Sequence, residues 1–433
     1  MKPRAVLRTM VAVGTATAMS LTMAACGSKS GQGGSMQNAN LILTIWGSDN
    51  DTKTYQQRAD AYTKTHPGVK VTVKNIPVEN YDQQVNTMIS GGSSPDIIEV
   101  NGTDGPALAS KNVLLDLGPK LKADGLKPED TVDAARVKGY ALKGKQFALP
   151  DRGGNLVFYY NKTMFDKAGV PLPKAGWTWD EFTAAAQKLT VVQDGKTVQY
   201  GVAIDDWPNA VESVVRSFGG TLLNDSLSAP AIDSTAYKTG LQNYYDLIGK
   251  LKVSPSLKDY ADFGKDVNRD ALFAQGKTAM IWAGLWDIPD FVKQNLSFGI
   301  VPPPSGDGSN PTMLAFGTGL AVGARSKNQD AAWDVVKYMF STDGQRPIVT
   351  NQEDVPSAKG LLSEWEKGLP SGVTYDELAK AASQVFPDQT PPQIAEIEKQ
   401  VQQDLYPFFT GSQTVDQATS TAASHIKGIL AGS

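Results

Sequence analysis

Between Leu41 and Val100 the apolar pattern changes period four times, which restricts the architecture more than any other stretch of the chain. Leu41-Ile42-Leu43-Thr44-Ile45-Trp46 is a short apolar run stopped by Gly47, the pattern of a buried strand. Tyr55, Ala59 and Tyr62 then recur at helical spacing, ending before Pro67-Gly68. Val69, Val71 and Val73 alternate with polar residues, and Tyr81, Val85, Met88 and Ile89 return to a helical face before Gly91-Gly92. Pro95-Asp96-Ile97-Ile98-Glu99-Val100 closes the series as a third strand. Strand–helix–strand–helix–strand predicts an α/β unit, a parallel sheet covered by helices on both faces.

The pattern restarts beyond residue 150. Leu156 to Tyr160 is apolar, and Thr178-Trp179-Asp180-Glu181 has capping-box spacing ahead of a helix that buries Phe182, Ala185, Ala186 and Leu189. Val198–Ile204, Thr278–Trp282 and Phe298–Val301 read as strands, and 209–218 and 234–250 as helices. Pro302-Pro303-Pro304-Ser305-Gly306-Asp307-Gly308 reads as a linker, after which Leu314 opens a strand leading to a helix with Ala332, Val335, Val336 and Met339. The rest is mostly helical. At 433 residues the chain exceeds one comfortable core, so two domains are expected.

The N-terminus has a different logic. Lys2, Arg4 and Arg8 precede an apolar stretch from Met10 to Ala25, too short and too rich in Ala and Thr for a stable membrane span. It ends in Met23-Ala24-Ala25-Cys26-Gly27, which resembles a lipoprotein signal, with Met23 where that pattern prefers Leu. Residues 1–25 are therefore expected to be removed and Cys26 diacylated. Cys26 is the only cysteine, so no intrachain disulfide forms. Gly27–Asn40, rich in Gly, Ser, Gln and Asn, reads as a flexible tether behind it (26–40 with the anchor). This places the mature protein outside the cytoplasm, lipid-anchored to the cell membrane.

Removing residues 1–25 takes away three positive charges and no negative one, moving the formal charge from −4 to about −7. With no basic patch, nucleic acid is not an expected partner. His66 and His425, the two histidines, lack triad or metal-ligand spacing, so no catalytic residue, metal or cofactor is expected. The enzymatic alternative is a secreted glycosidase using a carboxylate pair. The most tempting pair, Asp205-Asp206, is adjacent, so its side chains should point apart.

Several segments together resemble the extracellular solute-binding proteins of sugar ABC importers, the maltose-binding-like group. These are Ala148-Leu149-Pro150, Phe158-Tyr159-Tyr160-Asn161-Lys162, Phe165-Asp166-Lys167-Ala168-Gly169 and Trp177-Thr178-Trp179-Asp180-Glu181-Phe182. Phe273-Ala274-Gln275-Gly276-Lys277, Gly284-Leu285-Trp286, Phe298-Gly299-Ile300-Val301-Pro302, Gly317-Thr318-Gly319-Leu320-Ala321-Val322 and Ser326-Lys327-Asn328 continue it. The resemblance spans about 40–410. It implies a two-lobe periplasmic-binding-protein-like α/β fold with a hinge and an interlobe ligand cleft. By that analogy the first lobe is 41–150 plus 313–355 and the second 151–312 plus 356–433. It also implies a monomer that captures a sugar, oligosaccharide or polyol and delivers it to ABC permease subunits.

Sugars need aromatic faces and planar hydrogen-bonding groups, expected beyond the C-terminal ends of strands. Trp46 and Asp49 follow the first strand, with a core tryptophan and a helix cap as the structural alternatives. Asn101 follows the third strand. Asp151 and Arg152 lie at the crossing between lobes, where they either bond ligand or pair with each other; Arg152 would also suit an acidic ligand. Trp207 follows a strand, and Trp286 follows Gly284; both are candidates for stacking. Gly317 and Gly319 would allow the ligand or the opposite lobe to approach the backbone. Trp177, Trp179, Trp282 and Trp333 are expected inside the lobes, and at most one of Tyr159 and Tyr160 in the cleft.

Overall fold

The computed structural model describes residues 38–432 except 103, 265–266, 307–309, 311, 316, 382–384 and 388, and the side chains of all of these but 79, 135 and 385–387. The N-terminal signal, Cys26 and most of the tether lie outside the described residues.

Eight strands carry the two main sheets: β1 (Ala39–Ile45), β2 (Val69–Asn75), β3 (Ile97–Asn101), β4 (Leu149–Arg152), β5 (Leu156–Asn161), β6 (Met280–Gly284), β7 (Phe298–Val301) and β8 (Thr318–Val322). The first sheet has the order β2-β1-β3-β8-β4 and the second β6-β5-β7. The early alternation forms as expected. Leu41, Leu43 and Ile45 are buried along β1, which pairs in parallel with β2 and β3. The helix Asp49–Thr65 is started by a capping box, Ser48 with Asp51, and buries Tyr55, Ala59 and Tyr62.

Two features depart from the expected pattern. The first sheet is mixed, because β8 returns from far along the chain and inserts antiparallel between β3 and β4. The stretch 198–204 is not one strand. Lys196–Gln199 pairs locally with Val191–Gln193, and the chain then meets β6 only through single bridges, Tyr200 to Thr278 and Ala203 to Ile281. Asp194-Gly195 forms the tight turn, both residues at positive φ, so local hairpin chemistry prevails over the apolar run.

The apolar cores divide between the sheets. One pair of clusters draws on residues between 39 and 149 and on 320–340, including Leu320, Trp333 and Val336. The other pair draws on 156–314 and 349–426, including Phe158, Trp177, Trp179 and Trp282. Phe158, Phe182 and Trp282 meet edge to face at centroid separations of 4.6–5.5 Å, so these aromatic side chains are core, as expected. Tyr159 and Tyr160 are both buried, and the Tyr159 hydroxyl donates to the Gly284 carbonyl.

Candidate functional site

Sheet register decides which loops face one another. β1 and β3 run in parallel and end at Ile45 and Asn101, while Thr318, at the start of antiparallel β8, stands opposite both Asn101 and Arg152. Trp46, Asn101, Arg152 and Gly317 therefore share one end of the first sheet. In the second sheet Gly284, at the end of β6, pairs with Leu156 at the start of β5, and the parallel Ala203–Ile281 bridge brings 205–207 to that same end. The link Gly153–Asn155 joins the two ends directly. A Cβ on Gly154 would stand 2.6 Å from Leu285 Cβ, so the crossing presses against the loop after β6.

Trp46 is half-buried, with its ring 4.7 Å from Tyr81 and nearly perpendicular to it. Its backbone is held on both sides: its N–H donates to Glu99 Oε2 at 3.1 Å, and its carbonyl accepts from Arg152 Nη2 at 3.2 Å. Asp49 is exposed in the first helical turn; the cap is Ser48, which accepts from the Asn50 and Asp51 N–H groups. Asn101 Oδ1 accepts from the Asp104 N–H at 2.8 Å and so starts the helix Asp104–Ser110. Trp207 is half-buried beneath the Arg269 guanidinium, 4.1 Å from its ring centroid. The Trp286 indole folds back over Gly284, where a Cβ would overlap the ring.

The geometry revises four expectations. Gly317 and Gly319 give close approach to their own sheet rather than to a ligand or the other lobe. A Cβ on Gly317 would lie 3.0 Å from the Arg152 carbonyl, and one on Gly319 would lie 2.9 Å from the Leu149 carbonyl and from Tyr140. Asp151 and Arg152 do not pair with each other, and both are buried in ion pairs that belong to the framework. Asp151 faces Arg58, with Nη1 donating at 2.9 Å, and the Tyr55 hydroxyl lies 2.7 Å from it. Arg152 donates to Glu99 through Nε at 3.0 Å and Nη2 at 2.9 Å, and through Nη1 to Asp51 and Glu353. A buried charge must be compensated where it stands, which leaves these groups little to offer a ligand. Burial alone would raise Asp51, yet Arg152 beside it brings that carboxyl down to about 2. Burial pushes the Glu353 carboxyl well above the usual range, against the pull of Arg152.

The second sheet end has a matching cluster. Arg269 donates to Asp205 at 2.6 Å and to the Trp282 carbonyl at 2.9 Å, with Asp270 at 3.5 Å. Asp287 accepts from the Gly284 N–H at 3.1 Å, and burial raises its carboxyl well above the usual range. Asp206 instead accepts from Gln402 at 3.3 Å, so the adjacent carboxylates diverge as their spacing predicts. His66 stacks on Tyr62 and His425 meets Asp404, away from both sheet ends.

Sequence reasoning passed over Arg58, Glu99 and Arg269. Two of these carried a signal. Arg58 lies within the stripe Tyr55, Ala59, Tyr62, and Glu99 interrupts the apolar run Ile97–Val100, so each marks a charge in a position that burial requires to be paired.

The same edge offers a pH test. Burial, then the neighbouring Asp82 carboxyl, pushes Asp104 up to about 8. An unfolded chain ionises this group near pH 4. Its contribution to stability is therefore full below about pH 4, declines as pH rises, and is gone above about 8. Asp104→Asn should raise the unfolding free energy at pH 8 by at least about 1.4 kcal/mol, the worth of one pKa unit, with no gain at pH 4. Equal effects at both pH values in urea titrations would contradict this assignment.

Three comparisons bear on this arrangement. The profile of the bacterial extracellular solute-binding protein family matches residues 46–346. A galactooligosaccharide-binding protein of Bacillus subtilis (strain 168) is 24% identical over 96% of this chain and 96% of its own. A maltooligosaccharide ABC transporter solute-binding lipoprotein of Streptococcus pneumoniae serotype 4 is 25% identical over 97% of each chain. An ABC substrate-binding protein of Listeria monocytogenes, solved in complex with cycloalternan, superposes with a TM-score of 0.84 at 22% identity, covering 91% of this chain and 99% of that one.

Proposed function

Because this chain belongs to the bacterial extracellular solute-binding protein family, we propose that it captures an extracellular sugar or related polar solute between its two lobes and delivers it to a membrane ABC permease. The observation that supports the reading is that Trp46 and Asn101 lie at one end of the first sheet, Trp207, Gly284 and Trp286 at one end of the second, and the chain crosses between those ends at Gly153–Asn155. Aromatic faces beside planar polar groups are what a saccharide's CH faces and hydroxyls require. The relatives that span nearly the whole chain are named for galactooligosaccharides and maltooligosaccharides, which supports the same ligand class. Asp49, exposed at the first position of its helix, is a further candidate contact on the rim.

By this reading the first lobe consists of 41–150 plus 313–355 and the second of 151–312 plus 356–433. Met313 and Leu314 pack with the second core, so the return is complete only at β8. Residues 1–25 act as a lipoprotein signal and Cys26 anchors a monomer outside the cytoplasm, a reading supported by the pneumococcal relative, itself named a lipoprotein. No helix among the described residues is long and apolar enough to cross a membrane.

The test is a thermal-shift panel of neutral oligosaccharides, monosaccharides and polyols on the purified protein. At a hundred times its dissociation constant, a ligand adds about 2.7 kcal/mol of stability. A selective shift without turnover of the sugar is the expected outcome. A panel without any shift, or release of a hydrolysed product, would overturn solute capture.

A further inference from the structure

Each sheet end carries one arginine beside one tryptophan, and both arginines are already neutralised. Arg152 is 5% exposed; its guanidinium donates to Glu99, Asp51 and Glu353, and to the Trp46 carbonyl. Glu99 in turn accepts the Trp46 N–H, so a single ion pair fixes both polar groups of that residue's backbone. Tyr81 secures the ring from the side, its own hydroxyl donating to the Glu99 carbonyl at 2.7 Å. In the second lobe the Arg269 guanidinium stands over the Trp207 ring, 4.1 Å from its centroid, while Asp205 and the Trp282 carbonyl hold it there. No described residue accepts from the indole N–H of either Trp46 or Trp207.

We propose that Arg152 and Arg269 are positioning residues for the Trp46 and Trp207 platforms, and that the cleft therefore takes uncharged saccharides and rejects their acidic counterparts. This rests on the solute-capture reading above. A carboxylate or phosphate on a ligand needs a guanidinium with an open fork. Arg152 has its fork filled by three carboxyl groups, and Arg269 faces Asp205 and Asp270, with Asp287 close enough to influence it. An anionic ligand reaching either end would have to displace a carboxylate already in place, against repulsion from its neighbours. A neutral sugar meets no such penalty. It stacks on an aromatic ring whose orientation is fixed before binding, which lowers the ordering cost of recognition.

Two arms test this. The first, on the unmodified purified protein, compares matched pairs: neutral di- and trisaccharides, each beside its own aldonic or uronic acid, read by melting temperature and calorimetry. Every strong shift is expected from the neutral member, with the acid at least about tenfold weaker, the scale of a coupling of one to three kcal/mol. An acidic member binding as tightly as its neutral partner would overturn the proposal while leaving solute capture intact. No binding by any sugar would remove both. The second arm is a double-variant cycle on the tightest neutral ligand, using Arg269→Lys, Trp207→Ala and their combination. Arg269 is only partly exposed, and lysine keeps the charge while losing the planar fork. If Arg269 acts through Trp207, each single change weakens binding about tenfold and the combination is no worse than Trp207→Ala alone, since residues acting as a unit are not additive. Losses that multiply to about a hundredfold would assign Arg269 its own ligand contact and sink the positioning role.

Discussion

Arg58→Leu should lower the free energy of unfolding by about 3–5 kcal/mol, the range for removing one partner of a buried ion pair. Arg58 is fully buried on a helix face otherwise occupied by Tyr55, Ala59 and Tyr62. Besides Asp151 it serves two carbonyls, Gly344 at 2.8 Å and Met339 at 2.9 Å. Its loss leaves a carboxylate and two backbone acceptors without their donor in a buried site. Because the carbonyls belong to the helices Gln329–Phe340 and Thr342–Thr350, the damage reaches the junction between those two helices. Replacing both partners, Arg58→Leu with Asp151→Leu, should recover part of the loss, because it removes the unpaired charge. Urea unfolding at pH 7 measures both, and a single-variant loss below about 1 kcal/mol would show the pair to be worth no more than a surface contact.

The second large effect concerns location rather than stability. Cys26→Ser should move the protein from the membrane fraction to the medium or soluble fraction almost completely. Each buried methylene of a lipid chain contributes roughly 0.8 kcal/mol, and two chains hold stably where one holds only marginally. Cys26 stands 13 positions before β1, which begins at Ala39. Ligand-dependent melting shifts should therefore be unchanged in the released protein. Membrane attachment that survives the substitution would refute the anchor.

The contrast between what sequence reveals and what it hides follows from chain separation. β1 to β3 and their helices are legible because period two and period 3.6 are local properties, written within ten residues. Trp46 and Trp286 follow β1 and β6 as the same local reading places them, whereas the strand it sets before Trp207 does not form. Their supports could not be placed this way: Arg58 meets Asp151 93 positions away, and Arg152 meets Glu353 201 positions away. No periodicity encodes such partners. Asp151 and Arg152 were legible as important and illegible in role, because the residue types that bond a ligand hydroxyl are those that neutralise a buried charge. The mixed first sheet was missed for the same reason, since nothing near Asn101 announces that its antiparallel neighbour begins at Thr318.

That late strand has a consequence for how the molecule is made. A chain exported from its N-terminus presents β1, β2 and β3 first, yet β3 waits for β8, and the core beneath waits for Leu320, Trp333 and Val336. The second lobe is no earlier, because its core takes Ile397, Leu405 and Ile426 from the final two helices. The first core is complete only at Phe340 and the second only at the final helix. Contacts between residues so far apart in sequence close slowly, so both halves fold late relative to their own first strands.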